Sequence, residues 1–339
     1  MTVEALHAAL RDGTFTPIEA ARLTADSLVA RNAAGTTALH IAARYGRLPL
    51  LPQGALTEDT LLLRNDSGYT PLHHAAVGGH LDQVPAEILT AGTLATRSNS
   101  GFTVFHMAAA HGHLNQLPAG LLNEAVVSST TDLGNTLLHE AAENGTLDRF
   151  PRAFLLPALL SRQNASGETV FHVAALNGNL PQLPGELLAR EALLTTTTAG
   201  DTVLHAAAIA GHLVHLPRAL LTHDHLTRAS KSGYTVIHAA AETGQLSVIP
   251  QSEFTRDLLL TRNDHGDTPL HAAAHEGHLD QIPTHLLTPQ ALNVRNYEGV
   301  TPLRLAASRG HLGQLPPSLR PAPPGPLKRL ARRLGFGTH

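Results

Sequence analysis

A period of 33 residues runs through this chain without a slip, and it constrains the fold more than any other feature. Glycines recur at Gly35, Gly68, Gly101, Gly134, Gly167, Gly200, Gly233, Gly266 and Gly299, and a second glycine follows each by eleven residues, from Gly46 to Gly310. Self-similarity at this fixed period marks a solenoid, in which each copy packs only on its neighbours. Such a chain has no natural place for a single buried catalytic cleft.

One copy, 266–298, shows how the unit is built. Gly266-Asp267 is a turn signal, because glycine takes positive φ freely. Thr268 suits a helix N-cap and Pro269 the first helical position. Leu270, Ala273 and Ala274 then fall on one helical face, and Gly277 closes the helix. The chain next meets Pro283, one of a series at Pro52, Pro85, Pro118, Pro151, Pro184, Pro217, Pro250, Pro283 and Pro316. Proline is tolerated only in a helix's first turn. The spacing therefore predicts a short second helix beginning near 281–283, with Leu286 and Leu287 inward. Thr288-Pro289 reads as a fresh N-cap and first position, opening one more helical turn that buries Leu292. Related pairs are Thr57 with Leu61, Thr90 with Leu94, Thr222 with Leu226 and Thr255 with Leu259.

The phrase Thr-Pro-Leu-His-x-Ala-Ala followed by Gly-His-Leu, at a period of 33, resembles the ankyrin repeat. The resemblance covers 35–316 as nine copies, and Leu6-His7-Ala8-Ala9 with Gly13 extends it to a degenerate capping copy at 1–34. It implies an all-α solenoid of about ten helix-turn-helix units with a concave binding groove. It also implies that the signature histidines, His7, His40, His73, His106, His139, His172, His205, His238 and His271, hydrogen-bond turn backbone and tie adjacent copies. The histidines of the Gly-His-Leu corner, His80, His113, His212, His278 and His311, read as structural too. The chain departs from the usual repeat after that corner, where it reads x-Gln-Leu-Pro-x-x-Leu-Leu-Thr.

Bulk composition excludes several classes. There is no cysteine, hence no disulfide, thiolate chemistry or Cys-based zinc site. No apolar run approaches the roughly 18 residues that span a bilayer, and the N-terminus lacks the form of a secretory signal. A cytoplasmic protein is the expectation. Net charge is −3, yet the stretch 317–339 holds five cations and no acid, which leaves −8 for 1–316. An acidic body argues against nucleic acid, which needs a basic stripe. No cofactor motif is present.

Binding identity belongs where the copies disagree and side chains face out. Two patches emerge, an aromatic one at Tyr45, Tyr69 and Phe102 and an acidic one at Glu140, Glu143, Glu168 and Asp201. Arg44, His111 and Tyr234 occupy further variable positions. Exposed aromatics on a rigid face are typical anchors for protein partners. The expected function is a non-catalytic scaffold for another protein, one with a basic and partly apolar segment. A rival reading places metal-dependent activity at His212, His215, His223, Asp224 and His225. A third gives targeting to the C-terminus: a proline-rich linker at 317–326, then a basic amphipathic tail at 327–339, with Leu327, Leu330 and Leu334 at helical spacing. That stripe suits only a weak contact with an anionic surface.

Overall fold

A computed structural model describes residues 2–16 and 23–321. The basic tail at 327–339, and the proline-rich segment from 322 on, lie outside them. Among the described residues the chain is helical, without a strand, and no helix is long and apolar enough to cross a membrane. Contacts divide it into two units, Met1–Pro217 and Arg218–His339. In the first, helix Val3–Asp12 packs on Ala38–Arg44, and each copy's first helix packs on the next through to Val203–Ala210. In the second, Val236–Glu242, Pro269–Glu276 and Pro302–Arg309 stack in the same way. The core is the repeated Leu, Ala and Ala of these helices; Leu72, Ala75 and Ala76, like Leu270, Ala273 and Ala274, are wholly buried.

Each copy begins with the expected turn. In the copy at 266, Asn263 Oδ1 accepts from the amides of His265 (2.9 Å) and Asp267 (3.0 Å), and Gly266 has φ 74°. The turns of consecutive copies touch. Thr198 N donates to Ser166 O at 2.9 Å, and a Cβ on Gly167 would stand 2.6 Å from that same amide nitrogen. Glycine is required there for conformation and for close approach alike.

The first helix carries the feature on which stacking rests. Thr37 N donates to His40 Nδ1 at 3.2 Å, and the same contact recurs for His73, His106, His139, His172, His205, His238 and His271 at 3.1–3.3 Å. The histidine thus takes the place of Glu or Gln in a capping box. A backbone amide can only donate, so Nδ1 must be bare and Nε2 must hold the proton. Nε2–H of His40 then donates to Tyr69 O of the next copy at 3.0 Å. The turn residue 29 positions on accepts in the same way from His73, His139, His172, His238 and His271 at 3.0–3.2 Å. His106 reaches Ser129 O instead. The matching position in the final copy is Arg304, which is exposed.

The second half of the copy differs from its expected form. No continuous helix begins near 281–283. A single 3-10 turn, Leu279–Gln281, is followed by extended Ile282 (φ −87°, ψ 135°), and then by a turn in which Leu286 N donates to Pro283 O at 2.9 Å. The residue before proline avoids the α region, so the chain must break there. Ile282 and Leu287 point inward, at 2% and 4% exposure, while Leu286 is half-buried. The final turn forms as expected. Thr288 caps Pro289–Leu292, and Leu61, Leu94, Leu226, Leu259 and Leu292 are buried at the equivalent place.

The x-Gln-Leu-Pro departure has a structural use. Gln182 Oε1 accepts from Leu147 N (2.9 Å) and its Nε2 donates to Gly145 O (3.0 Å), both in the preceding copy. Gln116 pairs likewise with Leu81 N and Gly79 O, and Gln314 with Leu279 N and Gly277 O. One amide side chain thereby satisfies a donor and an acceptor left over at a helix end. Corner side chains add a further bond to the copy before: His113 Nδ1 on Ala76 O at 2.8 Å, and Asn179 Nδ2 on Ala142 O at 2.8 Å.

Two outcomes are expected. Replacing Gln182 by Ala leaves two half-buried backbone groups unpaired and costs about 1–3 kcal/mol, measured by urea unfolding. Gln83→Ala costs less, because Gln83 Oε1 has no partner. Burial also pushes the signature imidazoles down from 6.5, to about 4 for His40, His73 and His106. The unfolded chain then binds more protons between those values, so stability is complete above about pH 6.5 and is lost as pH falls toward 4. A melting temperature that stays flat from pH 7 to pH 4 contradicts this.

Candidate functional site

The helix position directly after the signature histidine faces away from the core-forming Leu and Ala residues. It holds Ile41, His74, Met107, Glu140, Val173 and Ala206 in the first unit and Ala239, Ala272 and Leu305 in the second. Inside the His-x-Ala-Ala block, from His40 to Ala274, it is the place where the copies disagree. Of its occupants, Glu140 alone is singled out from sequence. Together with turn and helix-end residues it lines a series of open cavities.

In the first unit, a cavity of about 330 Å³ lies among Arg44, Tyr69, His74, Val77, Met107 and His111. Two more follow along the same unit. One, of about 330 Å³, is lined by Leu133, Glu143, Glu168, Val173 and Leu176. The other, of about 350 Å³, is lined by Glu168, Leu176, Asp201, Ala206 and Ile209. Apolar side chains stay in solvent beside these acids, with Leu133 at 68% and Ile209 at 48% exposure. The second unit has a cavity of about 340 Å³ lined by Tyr234, Glu242, Asp267, Glu276, Glu298 and Leu305. There the Tyr234 hydroxyl donates to the Glu242 carboxylate, and burial with that carboxylate raises the phenol's proton affinity.

Most of the residues singled out from sequence meet at these cavities. Arg44, Tyr69 and His111 line the first, Glu143 and Glu168 the second, Glu168 and Asp201 the third, and Tyr234 the one in the second unit. Tyr45, 38% exposed, and Phe102, half-buried with its ring edge-on to His106 at 6.2 Å, line none of the four. Glu140 departs from its expected place in an exposed acidic patch, since only 3% of it is exposed. Asn135 Nδ2 donates to Glu140 Oε1 at 3.0 Å, and Asn164 Nδ2 links Asn135 Oδ1 to Glu168 Oε2 at 2.9 Å each. Burial raises the Glu140 carboxyl to about 7, and Glu143 adds to the rise.

The histidines of the metal reading have other engagements. His212 and His215 stack at 5.6 Å, and His212 Nδ1 lies 3.1 Å from Ala175 O. His223–Leu226 is a helical turn in which His225 is buried, its Nδ1 2.8 Å from Leu220 O. Among the described residues no group of three His, Asp or Glu side chains is placed to hold a metal ion.

Glu140 supplies a test of this electrostatic picture. A carboxyl raised from 4.5 to about 7 stabilises the fold least once ionised, so its cost appears as pH rises through that range. Glu140→Gln keeps an acceptor for Asn135. It is expected to raise the melting temperature more at pH 8 than at pH 5; an equal change at both contradicts the burial assigned to Glu140.

Comparison with known proteins agrees with the geometry. The ankyrin repeat family model matches residues 265–297, one full copy. No curated protein matches the chain. The features of the matched copy, from the Asn turn and Thr cap to the histidine bond and glycine stop, recur along the chain at 33-residue intervals.

Proposed function

We propose that this chain, an ankyrin repeat protein, is a non-catalytic scaffold that holds a partner protein along the face its first helices leave uncovered, the face that the resemblance makes concave. Repeats of this kind generally mediate protein–protein interaction. One observation carries the reading here: side chains at positions where the copies differ, among them Arg44, His74, Met107, Glu143, Asp201 and Ile209, line the cavities beside the repeated histidines and turn residues.

The chemistry of the face describes the partner. The second and third cavities of the first unit set Glu143, Glu168 and Asp201 beside exposed Leu133 and Ile209. Carboxylates interleaved with apolar side chains complement a segment that is basic and partly apolar. Charge complementarity sets specificity and encounter rate, and the apolar contacts hold the complex.

Affinity capture from the native cell extract, with the full chain and with a Tyr69→Ala plus Ile209→Ala variant as baits, tests the proposal. A protein held by the first and reduced at least tenfold with the second is expected, with both baits melting within a few degrees of each other. Equal capture by two equally folded baits removes this face from the account.

A further inference from the structure

The first cavity of the first unit differs from the others in charge. Among the described residues that line it none is acidic; it presents Arg44, His73, His74 and His111 with Asn65, Tyr69, Val77 and Met107. Arg44 ends helix Ala38–Arg44, is exposed, and makes no hydrogen bond or ion pair among the described residues. His74 occupies the cavity-lining position of the next copy, its ring edge-on to His40 at 5.2 Å, and its Nδ1 is buried without a partner. His111 ends the first helix of the copy after that, with its ring parallel to His113. Three successive copies thus direct a guanidinium and two imidazoles toward one space.

Resting on the scaffold reading above, we propose that this cavity is the docking site for an acidic side chain, Asp or Glu, carried beside an apolar residue in the partner's bound segment. The carboxylate takes the free Nη donors of Arg44, a pairing that guanidinium makes with bidentate geometry. The exposed His111 imidazole supplies a further N–H donor at the same cavity. Tyr69, Val77 and Met107 contact the apolar neighbour, methionine being a side chain that adapts its shape to what it meets. The volume, about 330 Å³, admits one or two side chains and excludes a folded element.

The electrostatics of the empty cavity run in the same direction. Burial is the main cause that pushes His74 down, to about 3, and His40, Arg44 and His73 add to it; burial, His113 and Arg44 lower His111. At neutral pH those imidazoles are uncharged, so the Arg44 guanidinium is the charged group of the lining, and no carboxylate among the described lining residues balances it. A carboxylate of the partner supplies that counter-charge. Further along the unit the cavities turn acidic, so the bound segment has polarity: an acidic end at the first copies and a basic, apolar stretch beyond.

The test is selection of a random dodecapeptide library, displayed on phage, against the full chain and against two full-chain variants, Arg44→Glu and Met107→Glu. Arg44 is exposed and unpaired, so its variant folds; a thermal melt of each bait checks this. On the unaltered chain the enriched peptides are expected to carry Asp or Glu next to an apolar residue, with recovery at least tenfold lower on Arg44→Glu. Peptides lost on Met107→Glu but retained on Arg44→Glu overturn the acidic docking site and leave the scaffold reading standing. Peptides that depend on Met107 yet carry neither Asp nor Glu, or enrichment of phosphate-mimicking sulfotyrosine peptides over carboxylates in a parallel library, also overturn it. Peptides indifferent to both substitutions overturn the docking site alone, whereas no enrichment at all counts against the scaffold reading as well.

Discussion

Everything in this structure depends on one ring that works in two directions. The imidazoles of His40, His73, His139, His172, His238 and His271 each accept from the threonine at the head of their own helix and donate to the turn of the next copy. The first contact fixes where the helix begins; the second fixes where the neighbour sits. Because the accepting nitrogen faces a backbone amide, only one neutral tautomer satisfies both, and a proton on Nδ1 sets two donors against each other. The solenoid is therefore assembled from local capping chemistry used twice. That is why a short copy with few aromatics stacks without a large core of its own.

The second half of the copy shows what this chain does differently. Proline at the fixed place forbids a continuous second helix, and the residue ahead of it runs extended. The lost helical hydrogen bonds are offset by side chains that reach the copy before: the Gln116, Gln182 and Gln314 amides and the corner His and Asn residues. Stacking is thus held by side-chain-to-backbone bonds spaced at the repeat length. Their partners are backbone groups, which every sequence has, so the positions between them are free to vary.

The fold was legible because its signals are local and repeated. The glycine turns, the threonine caps and the buried leucine after each late threonine could all be read from spacing. The 3-10 turns were not, since proline tells where a helix cannot run and not what replaces it. The bond made by Gln182 lies 35 and 37 residues back in sequence, and only the stacked geometry discloses it. At the site, Arg44, Tyr69, Glu168 and Tyr234 were legible as exceptions to the repeat. Glu140 was misplaced because a variable acidic residue reads as surface, whereas here the floor of the face is itself partly covered. His74 and Met107 went unread because they follow an invariant histidine that drew attention to itself. Variation within a constant block was the available signal.

The most direct measurement is long-range nitrogen–proton NMR of the imidazole rings in the full chain, followed from pH 8 down to pH 5. The account predicts that the signature histidines, His40, His73 and His106 above all, remain neutral with the proton on Nε2 at pH 6. Signature rings that are charged at pH 6, or that carry the proton on Nδ1, would contradict the interaction on which the rest of the structure has been built.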